Sequence, residues 1–152
     1  MSTNSKILSI CRALGIVCEK ITEPYWNVAS DMELSPIDMG HICYRLIEFL
    51  EQCVENTDLL LNSSIRLLEG PENKPSRPSS HLFVPDASLD DFTLEALYKF
   101  VCSMLEKSKN LFKDFLENGI YFSPSDKIIL ETKSCPSNNI SVERLFAKVD
   151  NK

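Results

Sequence analysis

The sequence predicts an all-α protein, an irregular bundle of five to seven helices. Apolar residues recur at spacings of three and four along most of the chain, as helices with one buried face require. Glycine is scarce, with four in 152 residues, and the β-branched residues fall within helix-like periods instead of alternating as in strands. Helix-start signals precede the periodic runs, most clearly Ser35-Pro36-Ile37-Asp38 and Ser123-Pro124-Ser125-Asp126.

Each element has its own justification. Over residues 5–21, Ile7, Ile10, Cys11, Leu14, Val17, Cys18 and Ile21 mark one face of an amphipathic helix, the expected buried face. Thr22 then reads as an N-cap, with Pro24 in the first turn of a short second helix that reaches Asp31. Its Trp26 reads as a packing anchor. Ser35 supplies a capping hydroxyl, Pro36 a first helical position, and Asp38 an acid facing the helix dipole. The helix they open carries Met39, Ile42, Cys43, Leu46, Ile47, Leu50 and Val54 on one face and ends near Asn56. Asp58–Leu61 and Ile65–Leu68 read as one short or broken helix.

Gly70 to Ser80 is the linker: three prolines, three serines and no large apolar residue cannot enter a core. Leu82 to Pro85 reads as a short extended piece docked on the helices. Asp86 to Asp91 brings capping residues to a long helix from about 89 to 118, apolar on more than one side, with Asn118-Gly119 as its C-cap. A short helix from Ser123 to about Thr132, a turn at Cys135-Pro136, and a last helix over 141–150 complete the chain. A Pro/Ser-rich linker near 70–81 thus joins two helical halves, 5–69 and 86–150. Their apolar faces match in length, so a single domain over 1–152 with one shared core is expected, within the usual ~100–200 residues per domain.

Composition narrows the function classes. At 43% hydrophobic and 25% charged residues the chain has enough apolar material for a core. A net charge of −6 argues against non-specific nucleic-acid binding, which needs Lys and Arg to displace phosphate counterions. The charge is concentrated in residues 1–70, with ten acids and five bases, against twelve and eleven in 71–152. No run approaches the ~20 apolar residues of a membrane span. The N-terminal run is broken by Arg12, Glu19 and Lys20, unlike a signal peptide's apolar core. An intracellular protein, cytoplasmic or nuclear, is expected. Its six cysteines then read as reduced thiols, with Cys11 and Cys18 as buried small hydrophobes on one helix face.

The residue patterns assemble no complete catalytic site. No CxxC pair exists, and the two histidines, His41 in a helix and His81 at the linker's end, lie near no nucleophile turn. No Gly-rich phosphate loop is present, because the four glycines are isolated. Asp86, Asp90 and Asp91 read as charge complementing a helix N-terminus before they read as cation ligands. The aromatic set Phe92, Tyr98, Phe100, Phe112, Phe115, Tyr121 and Phe122 falls at helical spacing among acids, which reads as core packing and not as a base-stacking platform. Lys99, Lys107, Lys109 and Lys113 read as a solvated face. No cofactor or metal is expected.

The stretch Glu131-Thr132-Lys133-Ser134-Cys135-Pro136 through Asn139-Ile140-Ser141-Val142-Glu143-Arg144-Leu145-Phe146-Ala147-Lys148-Val149-Asp150 resembles a segment of large transposon-related proteins of invertebrates. That segment runs approximately ETKSxPxTNxxxERxFAxLDRL. Cys11-Arg12-Ala13-Leu14-Gly15 and Thr22-Glu23-Pro24-Tyr25-Trp26 are similar to a CRALGL…TxPLW stretch in the same proteins. The Glu143-Arg144-x-Phe146 core also resembles the SERxFS element of the C-terminal dimerisation region of hAT transposases. The resemblance implies that Glu143 matches the third metal-binding carboxylate of a split RNase H-like core. It also implies a truncated relative, because the strand-borne aspartates are missing and the family continues beyond the position of Lys152. One glutamate cannot run two-metal chemistry. The expected function is therefore a non-enzymatic, transposon-derived helical module that binds a second copy of itself or another protein. The alternative is an incomplete part of a DNA transposase's catalytic and dimerisation core.

Overall fold

The structure, a computed structural model, describes residues 3–31, 34–70 and 79–135. Among these residues it is helical and has no β-strand. The helices are α1 (Thr3–Val17), α2 (Glu23–Ala29), α3 (Gly40–Glu55), α4 (Asp58–Leu61), α5 (Asp90–Leu111) and α6 (Asp126–Thr132). The last predicted helix, 141–150, lies outside the described residues.

The break expected at Thr22 is absent. Thr22 is itself helical (φ −68°, ψ −47°) and makes no side-chain cap. α1 runs through a π-helical stretch, Cys18–Thr22, directly into α2. The Glu23 N–H reaches back five residues to the Cys18 carbonyl. That wider turn gives Pro24 room where an ordinary α-turn would press its ring against the preceding turn.

α3 begins later than its sequence predicts: residues 36–39 form a turn and the helix starts at Gly40, with Met39 instead of Ser35 at its N-cap and Pro36 outside it. Ser35 donates from both its backbone N–H (2.9 Å) and its hydroxyl (2.7 Å) to Asp38 Oδ2, and the Asp38 N–H returns to Ser35 Oγ at 3.3 Å. This reciprocal box closes the turn that leads into α3. The Ser35 bonds favour the charged carboxylate and lower the Asp38 pKa from its ordinary 3.8. A depressed native pKa stabilises the fold above the unfolded value and loses that contribution as pH falls through the native one. Ser35→Ala is therefore expected to flatten the loss of stability below about pH 4. Urea midpoints measured from pH 5 to pH 2 check this; an unchanged acid limb would refute it.

Ile42, Cys43, Leu46, Ile47, Phe49, Leu50 and Cys53 of α3 are all buried. Phe49 and Cys53, absent from the predicted stripe, are wholly buried, because α3 is covered over a wide arc. The helix ends at Asn56 as expected (φ −144°, ψ 91°). Ser63 in left-handed backbone (φ 55°) stops the next segment after α4, so Ile65–Leu68 is not helical. Ile65, Leu67 and Leu68 are nonetheless buried. Arg45 of α3 caps their backbone, donating to the carbonyls of Leu67 (3.2 Å) and Arg66 (3.4 Å).

Beyond the linker, Ser80–Phe83 is a 3-10 turn, not an extended piece. α5 packs against both α1 and α3. One core cluster draws Ala13 and Ile16 from α1, Ile42 and Phe49 from α3, and Leu97 and Val101 from α5. α5 ends at Leu111, short of the predicted 118. A 3-10 turn, Lys113–Phe115, then tightens the chain, and it reverses so that the Tyr121 N–H bonds the Asp114 carbonyl at 2.8 Å. Asn118 takes the left-handed conformation there (φ 68°). Gly119 is required by contact: a Cβ would lie 2.4 Å from the Asp114 carbonyl.

Candidate interaction surface

α1 buries Ser9 and Arg12 together with Ala13, Ile16 and Val17, and turns several large apolar side chains to solvent. Between Ile7 and Cys18 the polar side chains are Ser9 and Arg12, and both are buried. Ser9 donates to the Ser5 carbonyl (3.0 Å) and the Leu89 carbonyl (3.3 Å). Arg12 makes three bonds: Nη1 to Asp90 Oδ1 at 2.6 Å, Nε to the Leu82 carbonyl at 2.7 Å, and Nη2 to the Val84 carbonyl at 2.8 Å. Asp90 also receives the Asp86 N–H at 3.1 Å, and the Asp86 carboxylate is taken up by Ser88. These bonds draw Leu82 over α1, where its side chain sits 3.0 Å from a Cβ built on Gly15.

The buried face of α1 is therefore not the one its periodicity suggests. Of the seven predicted positions, Val17 and Ile21 are buried; Cys11 and Cys18 are exposed, and Ile7, Ile10 and Leu14 are roughly half exposed (54%, 46%, 50%). Leu8 joins them at 58%. At 100° per residue they cover an arc of about 160° with no charge on it. A groove of about 390 Å³ borders this arc, formed by Ile10 of α1 with Phe92, Ala96 and Phe100 of α5. Lys6, lying 6.0 Å from the Phe92 ring, and the Lys99–Glu95 pair form its polar rim.

Other expected packing residues also lie at the surface. Trp26 is 54% exposed, not an anchor. Tyr98 and Phe122 are exposed, while Phe100, Phe112 and Phe115 are half-buried, so the aromatic set rims the core and Phe49 fills it. Tyr25, unremarked in the sequence beyond its motif, packs on Phe112 (6.2 Å between centroids) and hydrogen-bonds with Cys43. Burial, then the neighbouring Cys43, raises the Tyr25 pKa.

Burial pushes the Cys43 thiol up to about 11 and Cys53 up to about 12, opposite to the activation a nucleophile needs. His41 and His81 are both exposed. Among the described residues no group of three or more His, Cys, Asp or Glu is placed to hold a metal ion, and no helix is long and apolar enough to cross a membrane. Glu143, with most of the resembling C-terminal stretch, lies outside the described residues. Within the N-terminal motif, Arg12 clasps the 82–90 segment, Ala13 is wholly buried, Gly15 accommodates Leu82, and Pro24 is buried beyond the π-turn.

Fold and surface together define the class: an irregular all-α bundle with an outward-facing apolar helix. No family model matches the chain, and no curated protein or solved structure matches it.

Proposed function

We propose that this chain is a non-enzymatic, transposon-derived helical module that self-associates through the outer face of α1. The observation that carries the reading is the inverted α1: Arg12 and Ser9 point inward, and Ile7, Leu8, Ile10, Cys11, Leu14 and Cys18 point outward. A helix apolar all round is ordinarily covered on all sides. Because the arc carries no charge, two copies meet across a two-fold axis without like-charge repulsion, despite the chain's net charge of −6. A membrane surface fits less well, because amphipathic surface helices carry a Lys/Arg-rich polar face. The likeness of residues 11–15 and 22–26 to transposon-related proteins supports the origin, and six thiols suit a reducing cytoplasm or nucleus.

The test is oligomeric state. The wild-type chain is expected to sediment as a dimer or larger species at high micromolar concentration. Leu14→Glu, on an exposed position, is expected to weaken association roughly a hundredfold, about 3 kcal/mol, with helical circular dichroism unchanged. A wild-type monomer by light scattering at that concentration overturns the reading, as does unaltered association of L14E.

A further inference from the structure

A second surface, sharing no residue with α1, has a different chemistry. It runs along α3 opposite the ledge formed by residues 113–124. One end is a cavity of about 460 Å³ walled by Tyr44, Phe115, Tyr121, Phe122 and Pro124. The other, about 270 Å³, is lined by Glu48, Glu51 and Glu117, and Tyr44 belongs to both. The aromatic end is built, not accidental. Phe115 and Tyr121 lie 5.3 Å apart, Phe115 closes to 3.3 Å on a Cβ built at Gly40, and the chain reversal at Gly119 holds the ledge in place. Yet Tyr44 and Phe122 remain 40% and 47% exposed.

We propose that this groove docks an extended, basic, proline-containing segment of a partner protein. Tyrosine and phenylalanine faces accept proline rings and attract cationic side chains, and extended proline-rich segments lose little entropy on binding. Charge selects the sign. Glu48 and Glu51 are partly offset by Arg45 (3.7 Å) and Lys109 (2.6 Å), but Asp38 and Glu117 leave the groove negative. An acidic peptide would be repelled and a neutral one would leave the glutamate end unused. The proposal does not depend on the α1 reading, and a titration on L14E protein keeps the two apart.

The experiment is titration of the full chain with a synthetic peptide of alternating arginine and proline, followed by amide NMR shifts and calorimetry. Shifts confined to residues around Tyr44 and Tyr121 are expected, weakening with salt. Both Y44A and E117K, each at an exposed position, are expected to weaken binding about tenfold, with circular dichroism confirming that they fold. No shift at millimolar peptide overturns the proposal, and so does equal binding of the counterpart with glutamate replacing arginine. Tighter binding of a peptide spanning this chain's residues 70–80, which contains Lys74-Pro75-Ser76-Arg77-Pro78, would assign the groove to a second copy and overturn the partner assignment.

Discussion

Arg12→Met is expected to lower the unfolding free energy by about 3 kcal/mol, although methionine fills much of the same space. Arg12 is 9% exposed and holds an aspartate and two carbonyls at 2.6–2.8 Å. Its loss removes the donor to the Leu82 and Val84 carbonyls and leaves the Asp90 carboxylate without its counter-ion; a stranded buried group costs about 1–3 kcal/mol, and exposed Val84 regains water. Asp90 is 26% exposed and regains some water, which keeps the sum near the lower end for a broken buried ion pair. Asp90→Asn retains an acceptor and is expected to cost about 1 kcal/mol, with R12M/D90N well short of additive because the two side chains share one interaction. Urea unfolding followed by helical circular dichroism measures all three. Trp26 is too exposed to be the main reporter. A loss under 1 kcal/mol for R12M would mean that the clasp does not hold the 82–90 segment to α1.

Phe49→Ala is expected to cost about 4 kcal/mol, the larger effect of the two. Phe49 is wholly buried in the cluster that joins α1, α3 and α5, and removing the ring leaves a cavity its neighbours cannot fully collapse into. Phe49→Leu restores most of the volume and is expected to cost less than about 1.5 kcal/mol. Because the residues on both sides of the linker share this core, the F49A transition should move to lower urea as one step with the slope preserved. A split transition would show that the two halves unfold separately.

Local signals carried well from sequence to structure. The Ser35–Asp38 box, the stop at Asn56 and the position of α6 depend on neighbours a few residues apart, and each was readable there. Thr22 misled because a cap signal competes with continuation, and the π-turn let continuation win. Phe49 lies off the single stripe that the spacing of α3 marks, and it is buried because the helix is covered on more than one side. The α3 groove was unreadable from sequence: Tyr44 and Tyr121 are 77 positions apart, and the chain reversal at Gly119 brings them together.

By itself, then, the sequence determined that the chain is helical, where most helices start and stop, and which segments are rich enough in apolar residues to pack. The tertiary structure alone decided which way α1 faces. Hydrophobic periodicity reports how apolar a face is, not what covers it, and from Ile7 to Cys18 apolar residues lie on both sides of the helix, Ala13 and Ile16 away from the stripe of Ile7, Ile10 and Leu14. The choice was made by the most expensive group on the helix to bury alone. Arg12 turned inward because Asp90 and the carbonyls of Leu82 and Val84, 70 to 78 residues away, satisfy its guanidinium, and that rotation left the apolar stripe outside.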